Sequence, residues 1–224
     1  MTRRNSRGRC LGKKGVGMKK IKMVFASGNA GKIAEMKLLI EQHLGGFEID
    51  LLGLKDIGFT EEIIEDGETF EANAEIKARA VFDKTGMICF ADDSGLRVDY
   101  LNGAPGVHSA LYGGVAGERP PTDVSVNKLL QELKDVPDEQ RAAHFHCTIY
   151  CVISRDESFC VSGKCSGIIT RDRIGGGGFG YDPVFYYPPE SRTFAQMTSE
   201  EKNNFSHRAK AAELFAEKIV KYIK

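Results

Sequence analysis

The feature that most narrows the fold is a short apolar run followed at once by a glycine-rich turn and a helix-periodic stretch. Residues 22–26, Lys-Met-Val-Phe-Ala, read as a buried strand. After Ser27-Gly28-Asn29-Ala30-Gly31, the apolar residues Ile33, Met36, Ile40 and Leu44 recur at helical spacing, and Gly45-Gly46 marks a stop. The chain therefore opens on a strand–loop–helix unit, the building block of α/β folds.

The alternation continues. An acidic stretch, residues 61–68, precedes a second helix with Phe70, Ala74, Ala78 and Val81 on one face, and a second strand over residues 87–91 runs into Asp92-Asp93-Ser94-Gly95. A glycine- and proline-rich middle precedes a helix over about residues 123–133. Residues 142–153 and 158–164 then read as a β-hairpin, with short extended runs at 167–170 and 184–187. Thr198 with Glu201 forms a capping box, and Ser206 caps a last helix carrying Leu214, Phe215, Ile219, Tyr222 and Ile223. The order predicts an α/β fold with a mixed sheet, one domain over residues 21–224, and neither repeats nor an internal linker.

Lys plus Arg and Asp plus Glu both total 31, so the net charge is zero and any anion site must be local. That balance argues against a nucleic-acid or anionic-lipid partner for the body of the chain. Residues 1–20 are the exception, with Arg3, Arg4, Arg7, Arg9, Lys13, Lys14, Lys19 and Lys20 and no acid, and are expected to be a disordered basic extension. There is no secretory h-region and no run near the roughly 18 apolar residues of a membrane span, so a cytoplasmic location is expected. The 6 cysteines include no Cys-x-x-Cys pair and are expected to be reduced. His144, His146, Cys147 and Cys151 crowd together in sequence, but strand alternation puts Phe145, Cys147, Ile149 and Cys151 on one face and His144, His146 and Thr148 on the other, against a zinc site.

Several segments carry chemistry. The turn at Ser27, Gly28, Asn29, Ala30 and Gly31 presents backbone N–H groups and a helix N-terminus, with Lys32 beside them, and suits a phosphate. Its spacing is not that of a Walker A loop, and a plain structural turn fits it as well. Gly175-Gly176-Gly177-Gly178-Phe179-Gly180 matches a dinucleotide pattern trivially, but Tyr181-Asp182-Pro183 blocks the helix such a turn requires. A loop with one aromatic ring and one acid suits the edge of a nucleobase pocket, or an ordinary surface loop. Glu65-Asp66 and Asp92-Asp93 lie at element ends and offer oxygen ligands for magnesium or a base for water, although acidic turns are common. Lys202, His207 and Arg208 gather near a helix N-terminus, where cations are disfavoured unless an anion compensates.

In this order the motifs resemble the inosine triphosphate pyrophosphatase family. The likeness runs through Ser27-Gly28-Asn29-Ala30-Gly31-Lys32, then Glu65-Asp66-Gly67-Glu68-Thr69-Phe70 with Asn73 and Lys77, then Ala91-Asp92-Asp93-Ser94-Gly95-Leu96 and Gly103-Ala104-Pro105-Gly106. It closes with Gly177-Gly178-Phe179-Gly180-Tyr181-Asp182-Pro183, Lys202 and Ser206-His207-Arg208. The resemblance implies a long twisted mixed sheet flanked by helices in two lobes, a nucleotide cleft between them, magnesium dependence and a homodimer. It implies that Ser27, Gly28, Asn29, Ala30, Gly31 and Lys32 hold the triphosphate, that Glu65 and Asp93 bind magnesium, and that Asp93 is the proton acceptor. Ser94 then contacts substrate, Phe179, Gly180, Tyr181 and Asp182 frame base and sugar, and Lys202, His207 and Arg208 complete the pocket.

The implied reaction cleaves inosine, deoxyinosine or xanthosine triphosphate to monophosphate and pyrophosphate. Hypoxanthine and xanthine carry an acceptor at O6 where adenine carries an amino donor, so a donor from His207 or Arg208 would discriminate. A pyrophosphatase for modified pyrimidine or standard nucleotides is the nearest alternative, and a nucleic-acid-binding protein using the basic extension is a remote one.

Overall fold

The computed structural model describes residues 18–115 and 119–223. β1 (Lys19–Phe25) leads into α1 (Ala30–His43), β2 (Phe47–Leu52), α2 (Phe70–Thr85) and β3 (Cys89–Val98). There follow α3 (Thr122–Glu132), the hairpin of β4 (Ala142–Val152) and β5 (Ser158–Ile169), the short β6 (Phe185–Tyr187) and β7 (Arg192–Thr193), then α4 (Ser199–Lys202) and α5 (His207–Ile223). The strands form one open 7-stranded sheet in the order β2-β1-β3-β4-β5-β6-β7. β1 pairs in parallel with β2 and β3, and every later pairing is antiparallel, so the sheet is mixed as the alternation predicts.

The helices begin where their caps dictate. Asn29 accepts from Lys32 N at 3.1 Å, Thr69 from Ala72 N at 3.1 Å, and Ser206 Oγ from Ala209 N at 3.1 Å. Thr198 and Glu201 exchange both bonds of the capping box.

Four details depart from the expected pattern. β2 is absent from the expected elements, although Phe47, Ile49 and Leu51 alternate with Glu48 and Asp50 as a strand requires. β3 extends well past residue 91, so Asp92 and Asp93 lie inside a strand rather than at its end, because pairing with β4 persists to Val98↔Ala143. β5 is continuous where two runs are expected, since its register with β4 holds from Ser158 to Ile168. Lys19 and Lys20, placed by composition in the basic extension, pair with Phe47 and Glu48 in the sheet; residues 1–17 lie outside the described residues.

The core has three parts. One packs α1 and α5 on the sheet through Met23, Phe25, Met36, Phe90, Ile149 and Phe215. A second lies under α2 on the opposite face, with Val24, Ala74, Ala78, Ala91 and Tyr150. The third fills the other lobe, joining Leu96, Val126, Leu129, Phe145, Phe185 and Phe194. Arg141, 2% exposed, fastens this lobe by donating to Leu133 O, Ile169 O and Thr170 O, which spares buried carbonyls the cost of going unpaired. Cys147 and Cys151 point into the first part while His146 bonds Thr148 on the other face, so alternation separates them as expected. Among the described residues no helix is long and apolar enough to cross a membrane.

Candidate active site

β3 leaves β1 after the Phe25↔Phe90 pair and continues beside β4 to Val98. This opening lies at the carboxyl end of the parallel strands, where α/β sheets form their crevices. Asp92, Asp93 and Ser94 occupy it, and because strand side chains alternate, the two aspartates serve opposite faces.

On the α1/α5 face, Asp92 is 3% exposed and gathers cations from two helices. Lys32 Nζ donates to its Oδ1 and Oδ2 at 3.0 and 3.2 Å, and Arg208 Nε lies 3.4 Å from Oδ2. Burial alone would raise the Asp92 carboxyl, but Lys32, Arg208 and Lys77 outweigh it and hold the group well below the usual carboxylate range. Arg208, itself 2% exposed, also donates from Nη1 to Glu35 Oε2 at 2.9 Å and from Nη2 to Ser94 Oγ at 3.5 Å. Burial pulls its guanidinium down, yet Asp92 and Glu35 leave it raised. These carboxylates are the anions that let cations gather near the start of α5.

On the α2 face, Asp93 Oδ2 accepts from Asn73 Nδ2 at 3.2 Å and Oδ1 from its neighbour Ser94 N at 3.0 Å. Lys77 Nζ lies 3.6 Å from Asp93 Oδ1 and 2.5 Å from Glu65 Oε2, so one ammonium spans both carboxylates. Burial raises the Asp93 carboxyl, Glu65 and Asp92 add to the rise, and the pull of Lys77 and Asn73 does not cancel it. A group so poised is a proton acceptor with more basicity than an exposed aspartate.

At the phosphate end, Ser27 Oγ accepts from Asn29 N at 3.2 Å, which shapes the turn ahead of α1. Gly28, Asn29, Ala30 and Gly31 are exposed, with Lys32 behind them against Asp92. At the other end, Gly178 has a φ of 72° and a side chain there would run into the Asp182 carboxylate, so only glycine lets the loop close on it. Asp182 Oδ2 accepts from Phe179 N at 2.9 Å and from Lys202 Nζ at 2.7 Å. Gly180, with a φ of 61°, completes the loop. The Phe179 ring is 59% exposed and offers a stacking surface, with Lys202 Nζ 5.3 Å and Arg208 Cζ 5.9 Å from its centroid.

Two expected pocket residues point inward instead. Tyr181 is buried and its hydroxyl donates to Ser109 O at 2.9 Å, which anchors the loop to the far lobe. His207 is buried, stacks on Phe145 at 4.8 Å between centroids, and its Nδ1 has no partner among the described residues. Burial keeps it neutral by pushing its pKa well below the ordinary histidine value. α5 lies so close to β5 that a Cβ at Gly163 would come 2.5 Å from Ala211 N and would overlap His207 O.

The structure thus brings Lys32, Asp92, Asp93, Ser94 and Arg208 to one opening, with Glu65 and Phe179–Asp182 around it. Glu35 is a site residue the sequence pattern leaves out, and Asp92, expected with Asp93 as an oxygen ligand or base, is instead the counter-ion of Lys32 and Arg208. The two-residue period of a strand distinguishes Asp92 from Asp93; for Glu35, its place one helical turn from Lys32 is the available signal.

Residues 23–218 match the model of the Ham1 family. A dITP/XTP pyrophosphatase of Bacillus licheniformis is 46% identical over 189 residues, covering 84% of this chain and 93% of that protein. The dITP/XTP pyrophosphatase of Escherichia coli K12 is 43% identical over 200 residues, covering 88% and 98%. The structure of a HAM1 protein from Coxiella burnetii superposes with a TM-score of 0.80 at 37% identity, covering 90% of this chain and 99% of that one. A family match over most of the sequence, agreement of the whole fold and relatives aligned nearly end to end converge on one statement: the chain belongs to the Ham1 family.

Proposed function

We propose that this chain is a nucleoside triphosphate pyrophosphatase that hydrolyses inosine, deoxyinosine and xanthosine triphosphates to the monophosphate and pyrophosphate. The observation that carries this reading is the division of labour between adjacent aspartates. Asp92 collects cations suited to a polyanion, and Asp93, with a raised pKa, faces Glu65 on the other side of the same opening. The names of the related proteins from Bacillus licheniformis and Escherichia coli, dITP/XTP pyrophosphatases, support deoxyinosine and xanthosine triphosphates as substrates.

Magnesium suits the donor set. Glu65 and Asp93 are an oxygen-only pair already drawn to one ammonium, and among the described residues no three His, Cys, Asp or Glu side chains cluster as a closed metal cage would require. Magnesium characteristically takes one or two carboxylates and completes its shell with water and substrate phosphates. Bound there, it supplies neutralisation of the charge on the departing pyrophosphate.

The turn comprising Ser27, Gly28, Asn29, Ala30, Gly31 and Lys32 receives the triphosphate, and Ser94 contacts it. Asp93 accepts a proton from water as the water oxygen bonds to the α-phosphorus; the bridging P–O bond to the β-phosphate breaks, and pyrophosphate leaves with its electron pair. Phe179 stacks on the base, Gly180, Tyr181 and Asp182 shape the loop around it, Lys202 holds that loop closed, Arg208 supplies the donor that selects O6 over an amino group, and His207 packs behind it on Phe145.

The protein works in the cytoplasm, where thiols such as Cys89, pushed up to about 12 by burial, stay reduced and inert. It works as a homodimer, for which exposed Tyr100, Leu111 and Val115 in one stretch of chain offer apolar surface; light scattering gives the state directly. Removal of residues 1–17 is expected to leave turnover intact.

The deciding experiment compares inosine, xanthosine, guanosine, adenosine and thymidine triphosphates with magnesium and with EDTA, following pyrophosphate and orthophosphate separately. Inosine and xanthosine triphosphates releasing pyrophosphate only with magnesium is the expected result. Orthophosphate as first product, or thymidine triphosphate as best substrate, overturns it.

A further inference from the structure

We infer that Asn73 sets the separation and aim of the Glu65 and Asp93 carboxylates as a positioning residue; this rests on the metal role proposed above for that pair. Asn73 sits in the first turn of α2 and is 4% exposed. Both ends of its amide are committed. Oδ1 accepts from the backbone N–H of Gly67 at 2.8 Å, and Nδ2 donates to Asp93 Oδ2 at 3.2 Å.

One short side chain thereby ties the acidic loop, two residues past Glu65, to the carboxylate of β3. The loop and the strand are otherwise joined here through Lys77, whose ammonium is a point charge on a flexible stem and fixes no direction. The amide is planar and supplies an acceptor and a donor at once. A carboxylate at 73 could not donate to Asp93, and a hydroxyl is too short to span the gap.

A second, independent feature serves the same contact. A Cβ at Gly67 would lie 2.7 Å from both Ala72 Cβ and Asn73 Oδ1, closer than real side chains approach. The loop therefore meets α2 at a distance only glycine permits, and that distance makes the Gly67–Asn73 bond. Partners of this kind behind a metal ligand typically matter by about 10- to 100-fold in metal affinity or activity.

The test uses the full chain with the α,β-methylene analogue of inosine triphosphate bound, and Mn2+ as the probe, titrated by electron paramagnetic resonance. Asn73→Ala and Gly67→Ala are each expected to weaken Mn2+ binding about 10- to 100-fold. Each is expected to raise by a similar factor the magnesium needed for half-maximal turnover, with turnover recovering as magnesium is raised. Affinity for the analogue in EDTA stays at the wild-type value, and the double variant is no worse than the poorer single one because both break one contact. Wild-type Mn2+ affinity in either folded variant overturns the inference, as does a loss of analogue binding in EDTA that parallels the loss of metal. Absence of Mn2+ binding by the wild-type complex removes the metal reading of Glu65 and Asp93, and this inference falls with it.

Discussion

Lys202 Nζ lies 2.7 Å from Asp182 Oδ2, and both side chains are largely buried. The same oxygen accepts from Phe179 N, so a cation on α4 holds the loop that carries the exposed ring.

Replacing Lys202 by alanine strips a buried carboxylate of its counter-ion, a change that typically costs about 3 to 5 kcal/mol. The bond from Phe179 N remains, so the lower figure is expected, together with a higher KM for inosine triphosphate. Urea unfolding and steady-state kinetics check both; a cost under about 1 kcal/mol would put the pair in the class of exposed ion pairs.

Asp93→Asn is expected to keep the fold and lose turnover by about 100-fold or more, because an amide can accept no proton and ligates magnesium poorly. Circular dichroism together with kcat under saturating substrate makes the comparison. Turnover within tenfold of wild type would take the proton-accepting role away from Asp93.

How much of this was legible in the sequence depended on range. α1, α2 and α5 are set by periodicity and by caps within a few residues, and those signals lie on the page. β2 does carry the period-two signal, Glu48 and Asp50 alternating with Phe47, Ile49 and Leu51, but the run is short and directly follows a glycine pair that already serves as a helix stop. Asp92-Asp93-Ser94-Gly95 has the composition of a turn, and it is a strand only because β4 pairs with it across a long register. The identity of Asp92 as a counter-ion depends on Lys32 and Arg208, which are remote in sequence and meet only in the folded chain.

Buried His207 and half-buried His146 should make stability sensitive to mild acid. Burial lowers the pKa of His146 to about 4 and that of His207 well below the ordinary value, so the unfolded chain binds protons that the folded chain refuses. Their contribution is complete above the unfolded pKa of about 6.5 and is lost as pH falls below it, at up to about 1.4 kcal/mol per pH unit for each group. His146→Phe and His207→Phe preserve the stacks on Phe70 and Phe145 while removing the proton site. Urea unfolding between pH 7.5 and 5 is expected to show a shallower slope in each variant, as arranged by the sign of the shift; an unchanged slope in both would mean that other groups carry it.

Arg208 already spends three of its guanidinium donors on Asp92, Glu35 and Ser94, so any donor to a base must come from those that remain. Arg208→Lys keeps the charge between the two carboxylates and loses the planar fork. If Arg208 reads O6, the variant should lose about 1.5 to 3 kcal/mol for inosine triphosphate, which is about one to two decades in kcat/KM, and much less for adenosine triphosphate. Equal losses for the two substrates would take base reading away from Arg208.

The contact between Gly163 and α5 fixes how far His207 and Arg208 stand from the sheet, although β5 lends the opening no side chain at this point. The helix rests on bare backbone there, so its height is set by atomic radii and has no slack in the inward direction. An added methyl group acts as a shim: Gly163→Ala would lift the start of α5 and carry the guanidinium away from Asp92 without altering any group that touches substrate. Catalytic geometry in this fold is thus calibrated partly from behind, by the absence of a side chain.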